Sequence, residues 1–212
     1  MAPANLRELS ERELHEYVAD VEGHDSQVTG LVGYFYRMYR AEVLARVQGT
    51  AGRDVLEVGC GEGMMFDGES IVPVQMDVSI KRLSRAAGKG RFLLCADGYD
   101  LPFATGSFEI VLLIAVLEHT REPWRALAEA RRVLKPGGRV IIVVPNDVTM
   151  SAGRLLLRKF PIRYPDHVTF TTPGKMRRWL ADGFRIREAF HLPFRFLPFA
   201  VNLYHFVVAE RV

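Results

Sequence analysis

The chain has 212 residues, of which 49% are hydrophobic, and it carries a formal net charge of +3. This length and apolar content suit one well-filled α/β domain. Two cysteines are too few for a disulfide framework, the charged start does not fit a signal peptide, and no run is apolar enough to cross a bilayer, so we expect a cytoplasmic location.

Two helices are predicted ahead of the first strand. Apolar residues recur at helical spacing over 5–21, and a second helix is expected over 31–47. Since neither helix has a strand partner, we predict that residues 1–50 form a helical cap over the carboxyl edge of a sheet, within the same domain as residues 51–212. The second helix carries an aromatic cluster that either packs the cap or lines a pocket: Tyr34, Phe35, Tyr36 and Tyr39.

Strand and helix patterns alternate from residue 54 onward, which favours a parallel sheet with helices on both faces. Strands are predicted over 54–58, 72–76, 91–95, 108–114, 139–144, 184–191 and 203–210. Helices are predicted over 79–87, 122–134 and 173–181, the second of them terminated by Pro136-Gly137-Gly138. The last two strands should pair, and the interval 64–70 leaves room for only one or two helical turns.

A glycine-rich loop follows the first predicted strand. The run VLEVGCGEG places Gly59, Gly61 and Gly63 at every second position after Glu57. Glycine lets a ligand lie against bare backbone, and nucleotide-type ligands bind at the carboxyl ends of strands in open α/β sheets. The dinucleotide pattern G-x-G-x-x-G is absent because Met64 stands where the third glycine is required, so NAD and NADP are not expected to bind.

Acidic residues end the next two predicted strands. Asp77 follows the second strand, where a carboxylate can accept both hydroxyls of a ribose. Asp97 follows the third, where it can accept an adenine amino group. Loops favour aspartate anyway, but successive acidic strand ends beside a glycine loop predict a nucleoside site.

Five runs extend this pattern into a family resemblance. VLEVGCGEG, MDVS, ADGYDLPFATGSFEIVLL, VLEHT and LKPGGRVIIVVPN resemble, in order and spacing, the small-molecule group of class I S-adenosylmethionine (SAM)-dependent methyltransferases, methyltransferase type 11, which includes enzymes of quinone biosynthesis. The match is close over residues 54–146. It implies SAM as the cofactor and a Rossmann-like, mostly parallel seven-stranded sheet whose last strand is antiparallel.

The resemblance also implies which residues meet the cofactor. The three glycines of the loop would face its methionine moiety, Asp77 its ribose, Asp97 and Gly98 its adenine, and the backbone near Ile114 its amino group. Glu57, Cys60 and Val78 complete the expected contacts, Cys60 as a small loop residue rather than a nucleophile. We predict no metal site.

Two histidines are candidates for catalysis. Methyl transfer from a sulfonium needs chiefly an aligned donor and acceptor, and a base is required only if the acceptor loses a proton. His119 follows the fourth predicted strand, and His167 lies on the connection after the fifth. For both, a purely structural role remains an alternative.

Charge is unevenly distributed along the chain. Residues 1–70 carry 6 basic and 13 acidic side chains, so the remainder is strongly basic and includes Arg154, Arg158 and Arg163. This excess either attracts an anionic partner or forms a solvated face. Together with the cap, the segment 147–172 should roof the methyl group, which favours a small or lipid-like acceptor with an apolar body and an anionic group.

Other partners and functions are weighed against this one. The signature of planar-nitrogen methylation, Asn/Asp-Pro-Pro-Tyr/Phe, and an appended RNA-binding module are both missing, so no nucleic-acid partner is expected. Peripheral contact with a membrane remains open, and no oligomeric state is assigned. The alternatives are a non-catalytic SAM-binding regulatory or assembly subunit, and a protein or RNA methyltransferase.

Overall fold

The computed structural model describes residues 9–21, 30–87, 92–158 and 166–212, together with Ile162 and Tyr164. Residues 1–8 and 22–29 of the predicted cap, and Arg163, therefore lie outside the described residues. The division of the chain at residue 50 stays a prediction.

Seven strands form one sheet in the order β3-β2-β1-β4-β5-β7-β6. β7 runs antiparallel to both of its neighbours, and the pairs among β1 to β5 are parallel. The predicted fold class is thus confirmed. The strands are β1 (Val55–Val58), β2 (Val74–Asp77), β3 (Phe92–Cys95), β4 (Phe108–Ile114), β5 (Leu134–Pro145), β6 (Phe184–Leu192) and β7 (Tyr204–Arg211). The strand order reverses between β1 and β4, which opens a crevice at their carboxyl ends, where open α/β sheets bind ligands.

Six α-helices flank the sheet in the described part of the chain. They are α1 (Glu11–Val21), α2 (Gly30–Val47), α3 (Ile80–Ala86), α4 (Pro123–Val133), α5 (Asp147–Leu156) and α6 (Pro173–Leu180). α4 and α6 bury Leu127 and Met176 against one face of the sheet, and α2 buries Val43 against the other. No described helix has both the length and the apolar content that a membrane span requires.

α1 starts at a capping box. The backbone N–H of Ser10 donates to Oε2 of Glu13 at 2.9 Å, and the Ser10 hydroxyl accepts from the backbone N–H of Glu13 at 3.3 Å. This reciprocal pair satisfies the first free amides of a helix, so α1 begins at Glu11; the earlier part of the predicted range 5–21 lies outside the described residues. α1 lies over the carboxyl edge of the sheet. There, Oε1 of Glu16 accepts from the backbone N–H of Ile80, the first residue of α3, at 2.9 Å.

α2 differs from the expected cap. It begins at the carboxyl edge, where the ring of Tyr39 lies 5.0 Å from that of Tyr204, and it then runs along a face of the sheet. Val43 and Val47 pack there with Val55 of β1. The apolar face of this helix explains the difference, because a buried stripe must be matched by sheet surface and not by an edge.

Two local predictions after α4 were wrong: that Pro136-Gly137-Gly138 terminates the helix, and that the fifth strand starts at residue 139. The helix ends at Val133, and Pro136-Gly137-Gly138 lies within β5, where the register to β4 is interrupted between Phe108 and Ile110. Gly138 is needed in this irregular segment because a Cβ there would lie 3.0 Å from the backbone oxygen of Glu109. The short interval after the glycine loop agrees with expectation, since only a single 3-10 turn, Met64–Phe66, forms in it.

α5 was not predicted. The side chain of Asn146 accepts from the backbone N–H groups of Val148 and Thr149, at 3.2 and 3.4 Å, and so caps the helix. Asn146 also donates to the carbonyl oxygens of Phe199 and Asn202, which ties the helix start to the loop before β7. Residues 147–156 of the segment expected to roof the methyl group therefore form a helix beside the carboxyl edge.

Candidate cofactor and acceptor site

The glycine loop turns sharply after β1. Gly59, Gly61 and Gly63 have φ values of +72°, +55° and +71°, which side chains other than glycine rarely adopt. The N–H groups of Gly59 and Cys60 both donate to the carbonyl oxygen of Met76, at 2.8 and 2.9 Å. A Cβ at Gly59 would lie 2.6 Å from Cγ2 of Val116. The loop is thereby packed closely between the ends of β2 and β4.

Asp77 is fixed by two backbone amides. Its Oδ1 accepts from the N–H of Ser79 and its Oδ2 from the N–H of Gly61, both at 2.8 Å. An ionised carboxylate has about four acceptor positions, so two remain for a ligand. That capacity, at a buried position beside a glycine loop, fits the two hydroxyls of a ribose.

Asp97 and Gly98 follow β3 in a tight turn. Oδ1 of Asp97 accepts from the N–H of Tyr99 at 2.8 Å, and the Asp97 side chain is exposed. A Cβ at Gly98 would lie 3.4 Å from Cγ1 of Val58, so glycine lets this turn approach β1. The geometry leaves Asp97 at the rim of the crevice, where an adenine amino group could reach it.

These residues share one cavity of about 140 Å³ at the carboxyl edge. The predicted cofactor residues on its wall are Gly59, Asp77, Val78, Asp97 and Gly98. The other predicted contacts, Glu57, Cys60, Gly61, Gly63 and Ile114, do not line it. Glu57 instead lies buried under the loop, where Nε2 of Gln75 donates to its Oε2 at 2.6 Å.

Several residues on this wall escaped the sequence reasoning. Arg12 and His15 of α1 and Arg82 of α3 close the cavity on one side. It is smaller than the roughly 300–1,000 Å³ of usual ligand pockets. Ala115, the residue after β4, also lines it and has a φ of +53°. Such strain concentrates at functional sites, but an alanine carries no signal for it in the sequence.

A second, larger cavity of about 580 Å³ lies at the opposite end of the sheet. It is lined by the segment before β1, including Gly52 and Arg53, and by the segment before β2, including Ile71 and Val72. These are the amino ends of the strands, away from the glycine loop and both candidate histidines. We therefore take the smaller cavity, which His119 and the glycine loop line, as the candidate site.

His119 lies on the wall of the smaller cavity and pairs with Asp166. Nδ1 of His119 lies 3.2 Å from Oδ2 of Asp166 and 3.1 Å from the backbone oxygen of the same residue. Burial disfavours the imidazolium, but the carboxylates of Asp166 and Glu118 outweigh it and raise the pKa of His119 to about 9. Burial likewise works against the Asp166 carboxylate, yet His119 lowers the pKa of Asp166 to about 2.

His167 pairs with a different carboxylate. Its Nδ1 lies 2.5 Å from Oδ1 of Asp147, the first residue of α5, and both side chains are buried. The segment carrying His167 is tied to the end of β4, because the N–H of Thr169 donates to the backbone oxygen of Glu118 at 2.9 Å. Asp166, the sequence neighbour of His167, faces His119 instead.

Five ionisable side chains thus form one group beside the cavity, the histidine–carboxylate cluster: Glu118, His119, Asp147, Asp166 and His167. The two imidazole rings lie 4.9 Å apart, and burial raises the pKa of Glu118. His15 of α1 lies against the cluster with its ring 5.5 Å from that of His119, and burial, together with His119, lowers the pKa of His15 to about 4. Both predicted catalytic histidines are therefore brought together, and Glu118, Asp147 and Asp166 are the members that were not among the predicted site residues.

The aromatic cluster of α2 mainly packs. Tyr39 lies between Tyr36 and Tyr204, while Tyr34 is exposed. Arg40 donates to the backbone oxygens of Met65 and Asp67 at 2.8 and 2.7 Å and so holds the connection between the glycine loop and β2. The cluster and Arg40 thus support the loop from the far side.

Comparison with known proteins finds similarity to methyltransferases over the central part of the chain. Residues 56–142 match the family described as "Methyltransferase domain". The chain is 30% identical over 126 residues to a probable SAM-dependent methyltransferase of Mycolicibacterium smegmatis, covering 57% of this chain and 49% of that protein. It spans about half the length of the curated relatives it matches first.

Two solved structures share the fold over almost the whole chain. A SAM-dependent methyltransferase of Thermotoga maritima, a possible histamine N-methyltransferase, superposes with a TM-score of 0.71 at 17% identity, covering 96% of this chain and all of that one. A putative methyltransferase in complex with the Trm112 methyltransferase activator of Haloferax volcanii superposes with a TM-score of 0.70 at 18% identity, covering 95% and 97%. At these identities the likeness concerns the fold alone.

Proposed function

We propose that this chain is a class I SAM-dependent methyltransferase that transfers the methyl group of SAM to a small-molecule or lipid-like acceptor. The observation that carries the proposal is the cavity at the carboxyl edge. Asp77, Asp97 and His119 lie on its wall together, so residues for a nucleoside and a residue for chemistry meet in one place.

The chain's own residues would hold the cofactor from both ends of this crevice. Asp77 would accept the ribose hydroxyls with its two remaining acceptor positions, and Asp97 would accept the adenine amino group. The positive-φ turn from Gly59 to Gly63 would meet the methionine end with bare backbone, and the backbone near Ile114 would meet its amino group. When bound, SAM supplies an electrophilic methyl group on a sulfonium sulfur.

The acceptor would approach from the side of the histidine–carboxylate cluster. We assign His119 and His167 as the catalytic residues that contact its reacting group, because His119 is on the cavity wall and His167 stacks edge-on to it. Asp166 and Asp147 act as positioning residues, since each fixes one ring through Nδ1. Orientation of this kind is the main demand of a methyl displacement.

Exposed apolar side chains near the same edge support an acceptor with an apolar body. They lie on α5 and on the loop before β7: Val148, Leu155, Leu156, Phe194, Phe196, Leu197 and Val201. Phe196 is fully exposed, and large exposed apolar patches mark interaction sites. Arg154 and Arg158 lie on or next to α5, so an anionic group or a membrane surface would be attracted to the same region.

Transfer itself is the test. Purified chain would be incubated with SAM carrying a labelled methyl group and with fractionated lipids and small metabolites, and the label followed into product. The proposal expects label in at least one apolar or anionic fraction and S-adenosylhomocysteine in equal amount. Tight SAM binding without label in any fraction would favour the non-catalytic alternative.

A further inference from the structure

Three side chains of the histidine–carboxylate cluster converge in a way that methyl transfer alone does not require. Glu118, His119 and His167 each offer one ligand atom, and these atoms all lie within 4.8 Å of one another. Two of them come from the turn after β4 and the third from the segment after α5, so the fold gathers them from separate parts of the chain.

The imidazoles are oriented as metal ligands usually are. Nδ1 of His119 faces Asp166, and Nδ1 of His167 faces Asp147. Histidines that bind metals almost always direct their second ring nitrogen to a carboxylate or carbonyl group, which fixes the ring and raises its basicity. Here both histidines have such a partner at Nδ1, so an ion would coordinate at Nε2 of each ring.

Buried carboxylate oxygens provide an independent observation. Oε2 of Glu118, Oδ2 of Asp147 and Oδ1 of Asp166 are buried without a hydrogen-bond partner among the described residues. The three side chains are exposed by only 1%, 5% and 3%. A buried carboxylate oxygen without a hydrogen-bond partner carries a desolvation cost, and a cation bound between these side chains would reduce that cost.

We propose that the cluster binds one divalent transition-metal ion of the zinc class through Glu118, His119 and His167. Two imidazoles and one carboxylate form a common ligand set for such ions. Around a tetrahedral ion with bonds of about 2.1 Å, ligand atoms lie about 3.4 Å apart, so the three donors need to draw inward by less than about 1 Å each. Asp147 and Asp166 are the positioning residues of the site.

Three protein ligands leave a further coordination position open. His119 lies on the wall of the cavity, so the open position adjoins the place assigned to the acceptor. This step rests on the proposed function: with the ion bound, the ion instead of the two imidazoles would contact an oxygen or nitrogen of the acceptor and hold it beside the methyl group. Metal binding itself does not depend on it.

The test measures metal binding directly. Protein without a histidine tag and carrying Cys95→Ser, which removes the exposed thiol, would be stripped with a chelator. It would then be titrated with Co²⁺ by visible absorption and with Zn²⁺ by calorimetry. The proposal expects one ion per chain, with tetrahedral Co²⁺ absorption and no thiolate band.

Variants then locate the ion. His167→Asn and Glu118→Gln should lower metal affinity at least tenfold, and Asp147→Asn should lower it by about 10–100-fold, as for other positioning carboxylates. The matched control is His191→Asn, because His191 pairs with His205 on the far strands and belongs to no part of the cluster. It should bind Co²⁺ like the parent protein.

Absence of stoichiometric binding by folded parent protein would overturn the proposal, as would parent-like affinity in both His167→Asn and Glu118→Gln. SAM affinity, measured on the same samples, separates the metal proposal from the proposed function. If SAM binds and Co²⁺ does not, the metal site is wrong and the proposed function stands. If Co²⁺ binds at the cluster and SAM does not, the reverse holds.

Discussion

Nδ1 of His167 lies 2.5 Å from Oδ1 of Asp147, although His167 has an aspartate as its immediate neighbour in the sequence. That neighbour, Asp166, turns the other way and pairs with His119. The two pairs interlock the start of α5, the segment after it and the turn following β4. The acceptor side of the site is therefore a buried polar network. Substitution of one member would leave its partner buried without a hydrogen bond.

Substitution of Asp147 should lower the rate of methyl transfer without changing the affinity for SAM. In Asp147→Asn the amide keeps the shape of the side chain but cannot hold His167 with a charge, so we expect turnover to fall at least tenfold. Affinity for SAM, measured by calorimetry, should change less than twofold because Asp147 is not on the cavity wall. Equal losses of both quantities would show that Asp147 supports the fold generally.

Binding of SAM should displace α1. The cavity of about 140 Å³ is closed on one side by Arg12 and His15, and it is below the roughly 300 Å³ of a small ligand pocket. Amide hydrogen exchange over 11–21 should therefore become faster when SAM is added, while exchange in α4 should not. Slower or unchanged exchange in α1 would mean that the cofactor enters without moving it.

The glycine loop permits a matched pair of substitutions. Gly59 and Gly68 have similar φ values of +72° and +77°, but only at Gly59 would a Cβ meet a neighbour, Cγ2 of Val116 at 2.6 Å. Gly68→Ala should cost about 1–2 kcal/mol of unfolding free energy from backbone strain alone. Gly59→Ala should cost more, and urea unfolding would measure both. Equal losses would mean that Val116 gives way freely.

His205 should make stability depend on pH. Burial first, and then the neighbouring His191, lower the pKa of His205 to about 4 from an ordinary value of 6.5. The unfolded chain therefore binds the proton more readily, so this contribution is complete above pH 6.5 and is lost as the pH falls toward 4. A shift of this size corresponds to about 3 kcal/mol.

The measurement compares unfolding free energies of the parent protein and His205→Gln between pH 4.5 and 7.5. The variant lacks the titrating group, so its stability should fall less steeply below about pH 6.5. Parallel curves for the two proteins would contradict the assignment, whatever the absolute stability of the variant.

The sequence could predict the sheet because buried parallel strands read as short apolar runs between turn residues. It could also point to Asp77 and Asp97, since acidic residues at successive strand ends must meet at one edge. It could not predict α5, whose start depends on Asn146 bonding to Phe199 and Asn202 far along the chain. Because α5 was not predicted, the position of Asp147 at its start was unknown, and so the partner of His167 was missed.

The position of α2 shows the same limit. Its aromatic and apolar residues were compatible with an edge or a face, and only packing against Val55 and its neighbours decides for the face. Likewise, Ala115 lines the cavity with a positive φ of +53°, and no residue pattern in the sequence predicts that angle. Residues on the acceptor side are thus placed by contacts between distant parts of the chain, which the sequence does not reveal. Residues on the cofactor side follow local patterns and could be predicted.

Calorimetric titration of SAM into the parent protein, Asp77→Asn and Asp100→Asn tests the central claim most directly. The parent should bind one SAM per chain, and Asp77→Asn should bind more than tenfold more weakly, since a charged acceptor of two hydroxyls is worth about 1.5–3 kcal/mol. Asp100 is exposed, lies three residues after Asp97 and does not line the cavity, so Asp100→Asn should bind SAM with the affinity of the parent. No binding by the parent, or parent-like affinity in Asp77→Asn, would contradict the account.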